Sequence, residues 1–249
     1  MIKFFRHIRR SLINENRMGK YFKYAIGEII LVVIGILIAL QINNWNEKRV
    51  EQNKVNNYYN RIYQELQLGL TSKRGSKESI VQLIKDHKRT LNILNSKNKD
   101  SLVNLSNTLG ASATAWANNL TLPITEEFLN QGYLAKVQND SLKSLFQNLT
   151  FLFRRGKYYD ETIMNQYQNT IEPYIIKHIN YTEIALPHYK KGLVLGGPET
   201  NFQSIFDDME LYNIITFKLE LLNAQNSFLE GWISLLGEIS SQLETEINL

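Results

Sequence analysis

Histidine is the side chain best suited to proton transfer near neutral pH and to zinc ligation. No two of the chain's four histidines lie at the three- or four-residue spacing that places two ligands on one helix face. They are His7, His87, His178 and His188. His87 falls within an apolar stripe, where a hydrogen-bonded core histidine is more common than a ligand. The sequence therefore predicts no metal site.

Paired carboxylates are the other common route to acid–base chemistry. Adjacent acids occur at Glu126-Glu127, Asp160-Glu161 and Asp207-Asp208. Neighbouring residues on a helix do not face each other, and acids favour helix N-termini, so these pairs predict caps and solvated faces. The chain has no Gly-x-Ser-x-Gly motif and no cysteine, which excludes thiol catalysis and Cys-ligated metals. We predict no catalytic residue and no cofactor, and a protein that is not an enzyme.

The element that organises the chain is an apolar segment at residues 25–42, in which Glu28 and Gln41 are the only strongly polar side chains. Eighteen residues of helix span about 27 Å, close to the roughly 30 Å hydrocarbon thickness of a bilayer. The apolar core is longer than that of a secretory signal peptide, and it lacks a small-residue cleavage site. The segment therefore predicts an uncleaved signal anchor that crosses the lipid bilayer.

The basic charge of the chain lies before this segment. The net charge is +4, but residues 1–24 carry seven Lys and Arg against Glu15, and everything after them sums to −2. The positive-inside rule and anionic headgroups account for such a leader, so a nucleic-acid partner is not predicted. Residues 1–24 are predicted to form a cytoplasmic amphipathic segment with Phe5, Ile8 and Leu12 on its apolar face. The predicted location is the inner membrane, single-pass, with the C-terminal domain periplasmic.

One face of the predicted span carries Glu28, Val32, Gly35 and Ala39, at steps of four, three and four residues. Gly35 and Ala39 form a small-xxx-small pair, which lets another helix approach closely. The sequence leaves two alternatives for this face. It contacts another helix, from a second copy or from a membrane partner, or it is exposed to lipid. Glu28 lies one turn inside the cytoplasmic end, where it is either a functional residue or paired with a basic residue of the leader.

Two segments resemble a family of small bacterial membrane proteins of unknown function, found mostly in Bacteroidota. The first is residues 24–47, YAIGEIILVVIGILIALQINNWNE, preceded by the basic run MIKFFRHIRRSLINENR. The second is residues 126–149, EEFLNQGYLAKVQNDSLKSLFQNL, with a short helix, a glycine turn and Asn-Asp opening another helix. The resemblance implies a single inner-membrane span with a helical domain beyond it, and it brings no catalytic residues.

Residues 46–249 are predicted to form an extracytoplasmic all-α bundle, because apolar residues recur at helical spacing and no segment alternates with period two. We expect helix interruptions at residues 71–76 and 223–226, and helix ends at Gly132 and Gly156. Leu102, Leu105, Leu109 and Trp116 predict a weaker helix that ends before Leu122-Pro123. We also expect a kink or a break near Pro173. Residues 186–201 have the only sustained loop composition of the domain.

These features favour a membrane-anchored, non-enzymatic protein that presents a helical bundle for partner binding or scaffolding. The alternative is an extracytoplasmic ligand sensor that signals through a separate membrane partner, since 24 leader residues are too few for an output domain.

The orientation predicts the outcome of reporter fusions at the two termini. Alkaline phosphatase fused after Leu249 should be active in cells, because it requires an oxidising space, whereas the same enzyme fused before Met1 should be inactive. A fluorescent protein that folds in the cytoplasm should give the reverse pattern. Phosphatase activity from the N-terminal fusion alone would contradict the orientation.

Overall fold

The computed structural model describes residues 18–115 and 120–248. The protein is 84% helical, and the described residues contain no strand, so the predicted all-α class is confirmed. The α-helices are α1 (Met18–Ser96), α2 (Leu102–Leu109), α3 (Pro123–Asn130), α4 (Asp140–Gln166), α5 (Glu172–His178), α6 (Tyr181–Ile184), α7 (Pro187–Lys190) and α8 (Met209–Ile247), with a π-helical segment at Tyr167–Ile171.

The chain forms two compact units, Met1–Val55 and Asn56–Leu249. In the first unit the described residues all belong to α1, and the predicted amphipathic residues Phe5, Ile8 and Leu12 lie outside the described part. Within the part described, one helix is long and apolar enough to cross a membrane, with an apolar window of mean hydropathy 2.6 and no buried residue. The predicted segment bounds at residues 24, 42 and 46 stay predictions.

The second unit is a bundle in which α8 runs antiparallel to the residues of α1 that follow Val55. Three side-chain contacts in or next to the two helices show this direction, because the residue number on the α8 side rises as the residue number on the α1 side falls. The pairs are Lys97 with Asp207, Lys77 with Glu230 at 2.9 Å, and Gln67 with Ser240. Helix α4 packs beside α8, with the rings of Phe153 and Trp232 5.4 Å apart.

The predicted interruption of α1 at residues 71–76 is wrong. Polar side chains there bond to the preceding turn, with Thr71 Oγ1 donating to the Gln67 carbonyl at 3.0 Å. Leu70 and Ile80 on either side are buried. Continuous burial of one face outweighs the roughly 1 kcal/mol that a helical glycine such as Gly75 costs.

Two other predicted boundaries are wrong for related reasons. Helix α4 continues through Gly156, where an added Cβ would lie 3.6 Å from the Phe228 ring and 3.8 Å from the Trp232 ring. A methyl group would make ordinary van der Waals contact here, and packing of these rings on α4 keeps the helix continuous through the glycine. Helix α8 is continuous through residues 223–226, because Leu222 and Leu229 are both buried on its inner face.

The expected kink near Pro173 is confirmed, and it takes the form of the π-helical segment. Glu172 N–H donates to the carbonyl of Tyr167, five residues earlier. Pro173 has no N–H to donate, and its ring clashes with the carbonyl four residues before it in a regular helix. Widening the preceding turn relieves this clash, after which α5 begins.

Helix starts in the bundle are capped by polar side chains. Asn139, of the Asn-Asp pair that opens α4, accepts from Leu142 N at 3.1 Å, and Asp208 accepts from Leu211 N at 3.0 Å. Glu65 of α1 caps α3 across the bundle, with Ile124 N and Thr125 N donating to its carboxylate at 2.8 and 2.9 Å. The predicted stop at Gly132 is confirmed, since this residue follows α3 with φ +78°.

Helix α2 ends at Leu109, earlier than predicted, and Trp116 lies outside the described residues. At Gly110 the backbone meets the end of α6 directly, because an added Cβ would lie 1.9 Å from the Ile184 carbonyl oxygen. Only glycine permits this approach between the two backbones.

This contact predicts opposite effects for two glycine substitutions. Gly110→Ala should lower the free energy of unfolding by about 2 to 3 kcal/mol, because a backbone carbonyl must move to admit the methyl group. Gly237→Ala, on α8 with nothing within 4 Å, should raise it by about 0.5 to 1 kcal/mol. Urea unfolding of the full chain in detergent, followed by circular dichroism, measures both. Equal effects of the two changes would contradict the close approach.

Candidate functional site

The span face predicted from sequence lies on α1, with Glu28, Val32, Gly35 and Ala39 following one another along one side of the helix. Val32 is 53% exposed, and a Cβ added at Gly35 would meet nothing within 4 Å. At Val32 and Gly35 the face is therefore not covered by any other described residue of the chain. Whether another helix covers it stays a prediction.

The described histidines are dispersed. His7 lies outside the described residues, the His178 ring contacts the Tyr174 ring in a tilted geometry at 4.7 Å between centroids, and the His188 ring contacts that of Tyr189 likewise at 4.0 Å. Among the described residues no group of three or more His, Asp or Glu could hold a metal ion. Of the adjacent acids, Asp208 caps α8 and Glu127 accepts the Tyr58 hydroxyl at 2.8 Å.

A group of polar side chains is buried inside the bundle, and we call His87, Ser112, Thr114 and Lys218 the polar core. His87 Nδ1 lies 2.7 Å from the Leu83 carbonyl, so this nitrogen carries the proton. The Ser112 hydroxyl therefore donates to His87 Nε2 at 3.1 Å. Lys218 Nζ donates to the Thr114 carbonyl at 2.9 Å. The polar core thus ties the turn after α2 to both long helices.

Burial governs the protonation of the polar core. Desolvation lowers the pKa of His87 to about 4, with the nearby Lys218 charge acting in the same direction. Desolvation also lowers the pKa of Lys218 to about 8. His87 is therefore neutral at pH 7, which is the form in which a histidine can act as the base for a serine nucleophile. Both residues of the pair are buried, however, and no substrate reaches the Ser112 hydroxyl in this conformation.

A groove of about 490 Å³ opens on the bundle surface between the end of α4, the π-helical segment and α8. Its floor is apolar and its rim is polar. The lining residues are Thr162, Gln166, Thr170, Ile171, Glu210, Asn213, Ile214, Phe217, Glu220, Leu221 and Ala224. Gln166 Oε1 is inaccessible to solvent and has no hydrogen-bond partner within the described part of the chain. This volume and lining are typical of small-molecule sites.

The predicted loop at residues 186–201 begins with α7 and then projects three consecutive exposed apolar residues, which we call the apolar tip. They are Leu193, Val194 and Leu195, exposed by 36%, 93% and 61%. The base of the loop is fixed by Asn180, whose side chain donates to the carbonyls of Gly196 at 3.0 Å and Pro198 at 2.9 Å. These hydrogen bonds therefore fix the base of the loop from which the apolar tip projects into solvent.

A family of unknown function, DUF6090, matches residues 28–220 of this sequence, which is more than half of the chain. This chain belongs to the DUF6090 family. The predicted membership of a family of unknown function is thereby confirmed. No curated protein and no solved structure matches the sequence. The DUF6090 match contains the span face, the polar core and the apolar tip.

Four residues of these sites were not predicted from the sequence: Lys218, Ser112, Thr114 and Gln166. Lys218 could have been found, because it is the one basic residue after Asp207 and it lies at helical spacing from Ile214 and Leu222. Gln166, Ser112 and Thr114 carried no such signal. Their environments depend on contacts between segments that are far apart in the chain.

Lys218 predicts a specific pH dependence of stability. Below pH 8 both states hold its proton and the burial cost is fully present, whereas between pH 8 and the ordinary pKa of 10.5 the folded state has released a proton that the unfolded chain retains. The free energy of unfolding should therefore rise in this window, by up to about 1.4 kcal/mol per pH unit from this group. Lys218→Met should reduce the slope by up to that amount.

Urea unfolding at intervals between pH 7 and 10.5 measures this slope. Leu222→Met, one turn away on the same buried face of α8, is the control, because it changes packing without changing any titrating group. It should shift the whole curve without altering its slope. An unchanged slope in Lys218→Met would contradict the assignment.

Proposed function

We propose that this chain is a membrane-anchored, non-enzymatic protein whose helical bundle binds a partner protein outside the cytoplasm. The observation that carries the proposal is the apolar tip at Leu193, Val194 and Leu195. Isolated exposed apolar residues are ordinary on protein surfaces, but three in succession expose apolar area that is unfavourable in water unless a partner covers it.

The anchoring of the apolar tip supports a binding role. Besides the Asn180 side chain, the Asn180 N–H donates to Thr200 Oγ1 at 2.8 Å, and Thr200 N–H donates to the Glu183 carboxylate at 3.1 Å. Gly196 and Gly197 have φ of +122° and +100°, which few other residues adopt. A loop fixed in this way loses little conformational entropy on binding, so more of the apolar contact energy becomes affinity.

Charge and hydropathy support the membrane part of the proposal. The apolar window of α1 has the length and composition of a span, and the excess of Lys and Arg before it favours a cytoplasmic N-terminus. We place the protein in the inner membrane with its bundle in the periplasm. The partners that we propose are a second copy of the chain or a different membrane protein.

The buried state of the polar core supports a non-enzymatic role. The Ser112–His87 pair has the geometry of a nucleophile with its base, yet an enzyme needs that nucleophile exposed to substrate. Its bonds join the turn after α2 to α1, and Lys218 joins the same turn to α8. We infer that the polar core holds these elements in register.

Site-specific photo-crosslinking tests partner binding through the apolar tip. A photoreactive side chain at position 194 in the full-length protein in cells should capture one reproducible product, identified by mass spectrometry. The control carries the same group at Leu68, an isolated apolar residue of α1 that is 75% exposed. Leu193→Asp with Leu195→Asp should reduce the yield at position 194 about tenfold or more, because two buried carboxylates oppose the contact.

Equal yields at positions 194 and 68, or a yield at 194 that survives both aspartates, would contradict the proposal. Capture of a second copy and capture of a different protein would each support it, and they identify the partner.

The groove beside the π-helical segment favours a second candidate function, an extracytoplasmic ligand sensor. It would bind a small molecule between α4 and α8 and signal through a separate membrane partner, for which the span face Glu28, Val32, Gly35 and Ala39 offers a contact surface. Segments of π-helix inside α-helices occur frequently at functional sites. This candidate and partner binding at the apolar tip are compatible, since they use different surfaces.

A further inference from the structure

We propose that the groove between α4 and α8 binds a small amphipathic amine, an organic cation with N–H donors on an apolar body. This inference deepens the second candidate function by naming the class of ligand. It does not depend on partner binding at the apolar tip.

The size and floor of the groove define the apolar body. Ile171, Ile214 and Leu221 line a space of about 490 Å³, which lies in the range of small-molecule sites. Phe217 is 61% exposed at its edge. Apolar side chains left open in a concave site gain by contact with an aliphatic or aromatic group, because that contact removes their surface from water.

Gln166 supplies the hydrogen-bond acceptor. Its Oε1 has no partner among the described residues although solvent cannot reach it, and a buried acceptor without a donor costs about 1 to 3 kcal/mol. Gln166 is the last residue of α4, directly before the π-helical segment, so the widened turn sets the position of this wall. Because solvent does not reach this oxygen, a ligand N–H bonds to it once the Gln166 side chain turns toward the groove.

The charge of the lining selects a cation. Glu210 and Glu220 are the only charged residues among those that line the groove. The nearest lysine in sequence, Lys218, lies buried with its Nζ on the Thr114 carbonyl, on the inner face of α8. No Lys or Arg occurs from residue 158 to 176, which includes the other wall. The site therefore attracts cations and repels carboxylates and phosphates.

Phe217 strengthens this selection. A cation over an exposed aromatic face is stabilised by the ring quadrupole, and Phe217 lies on α8 within one turn of Glu220 and two turns of Glu210. Of the two nearest basic residues of α4, Lys157 is not among the residues that line the groove, and the Arg155 guanidinium lies 5.7 and 5.8 Å from the ring centroids of Tyr159 and Phe228. The carboxylates and the ring of the groove are thus available to a ligand.

Three probes of matched size and different charge test the proposal: 2-phenylethylamine, 2-phenylethanol and phenylacetate. The full-length chain is placed in nanodiscs of neutral lipid. Because the sequence has no cysteine, Thr170→Cys on the groove rim accepts a single trifluoromethyl label, and fluorine NMR reports binding locally. Ser227→Cys, an exposed position of α8 outside the lining, carries the same label as a control.

We expect saturable shifts at position 170 and none at position 227. The amine should bind about five- to tenfold more tightly than the alcohol, as two exposed carboxylates allow, and phenylacetate should bind most weakly. Glu210→Gln with Glu220→Gln should remove the difference between amine and alcohol while leaving the alcohol affinity unchanged. Ala224→Phe should abolish binding of all three by filling the groove, whereas Ser227→Phe should not.

The proposal is overturned if phenylacetate binds as tightly as the amine, if no probe shifts position 170, or if Ala224→Phe leaves binding intact. Failure of the sensor function gives a different result. In that case the amine binds with the expected selectivity, and saturating amine leaves every membrane crosslink of the full-length protein unchanged.

Discussion

The structure depends on burial of one continuous apolar stripe along α8. Leu222, Leu229 and Leu236 are almost fully buried, and α8 contacts α4 and the residues of α1 that follow Val55. Full burial of each such side chain contributes about 1.5 to 3 kcal/mol. Helices α1 and α4 are continuous where their sequences suggest breaks, because this shared contact surface outweighs the local cost of a glycine or a polar turn.

The same contact surface explains why polar groups are found inside the bundle. Once α8 has packed in the bundle, Lys218 cannot reach water, and its ammonium donates a hydrogen bond to a backbone carbonyl of the turn after α2. The Ser112 hydroxyl of the same turn donates to His87 Nε2 of α1. Unmade hydrogen bonds at these positions would cost more than made ones contribute. The polar core therefore specifies one arrangement of the turn more than it adds stability.

Much of the fold could be predicted from the sequence, because helical periodicity and charge are local signals. The all-α class, the apolar span, the Asn139 cap and the disturbance near Pro173 follow from residues within a few positions of each feature. The boundaries at Gly156 and residues 71–76 could not be predicted, since they depend on which rings and helices lie opposite. The cap from Glu65 to α3 joins residues about sixty positions apart, and no local pattern indicates it.

The groove could be predicted only in part, and for the same reason. Pro173 indicated where a helix must change, but the unpaired oxygen of Gln166 and the carboxylates across from it come together only in the folded bundle. The loop that carries the apolar tip could be predicted from composition alone, since Gly192, Gly196 and Pro198 flank the tip. The exposure of the tip could not be predicted, because apolar residues of a loop can also fold back onto a core.

The π-helical segment also sets the rotation of α5 about the helix axis relative to α4. A π turn holds one residue more than an α turn of the same height, so Tyr174 and Ile175 reach the core only with that extra residue in place. Deleting one residue from Tyr167–Ile171 would rotate everything from α5 onward by about 100°. The opening beside Gln166 and the burial of α5 are therefore two effects of one inserted residue, and neither can be altered without the other.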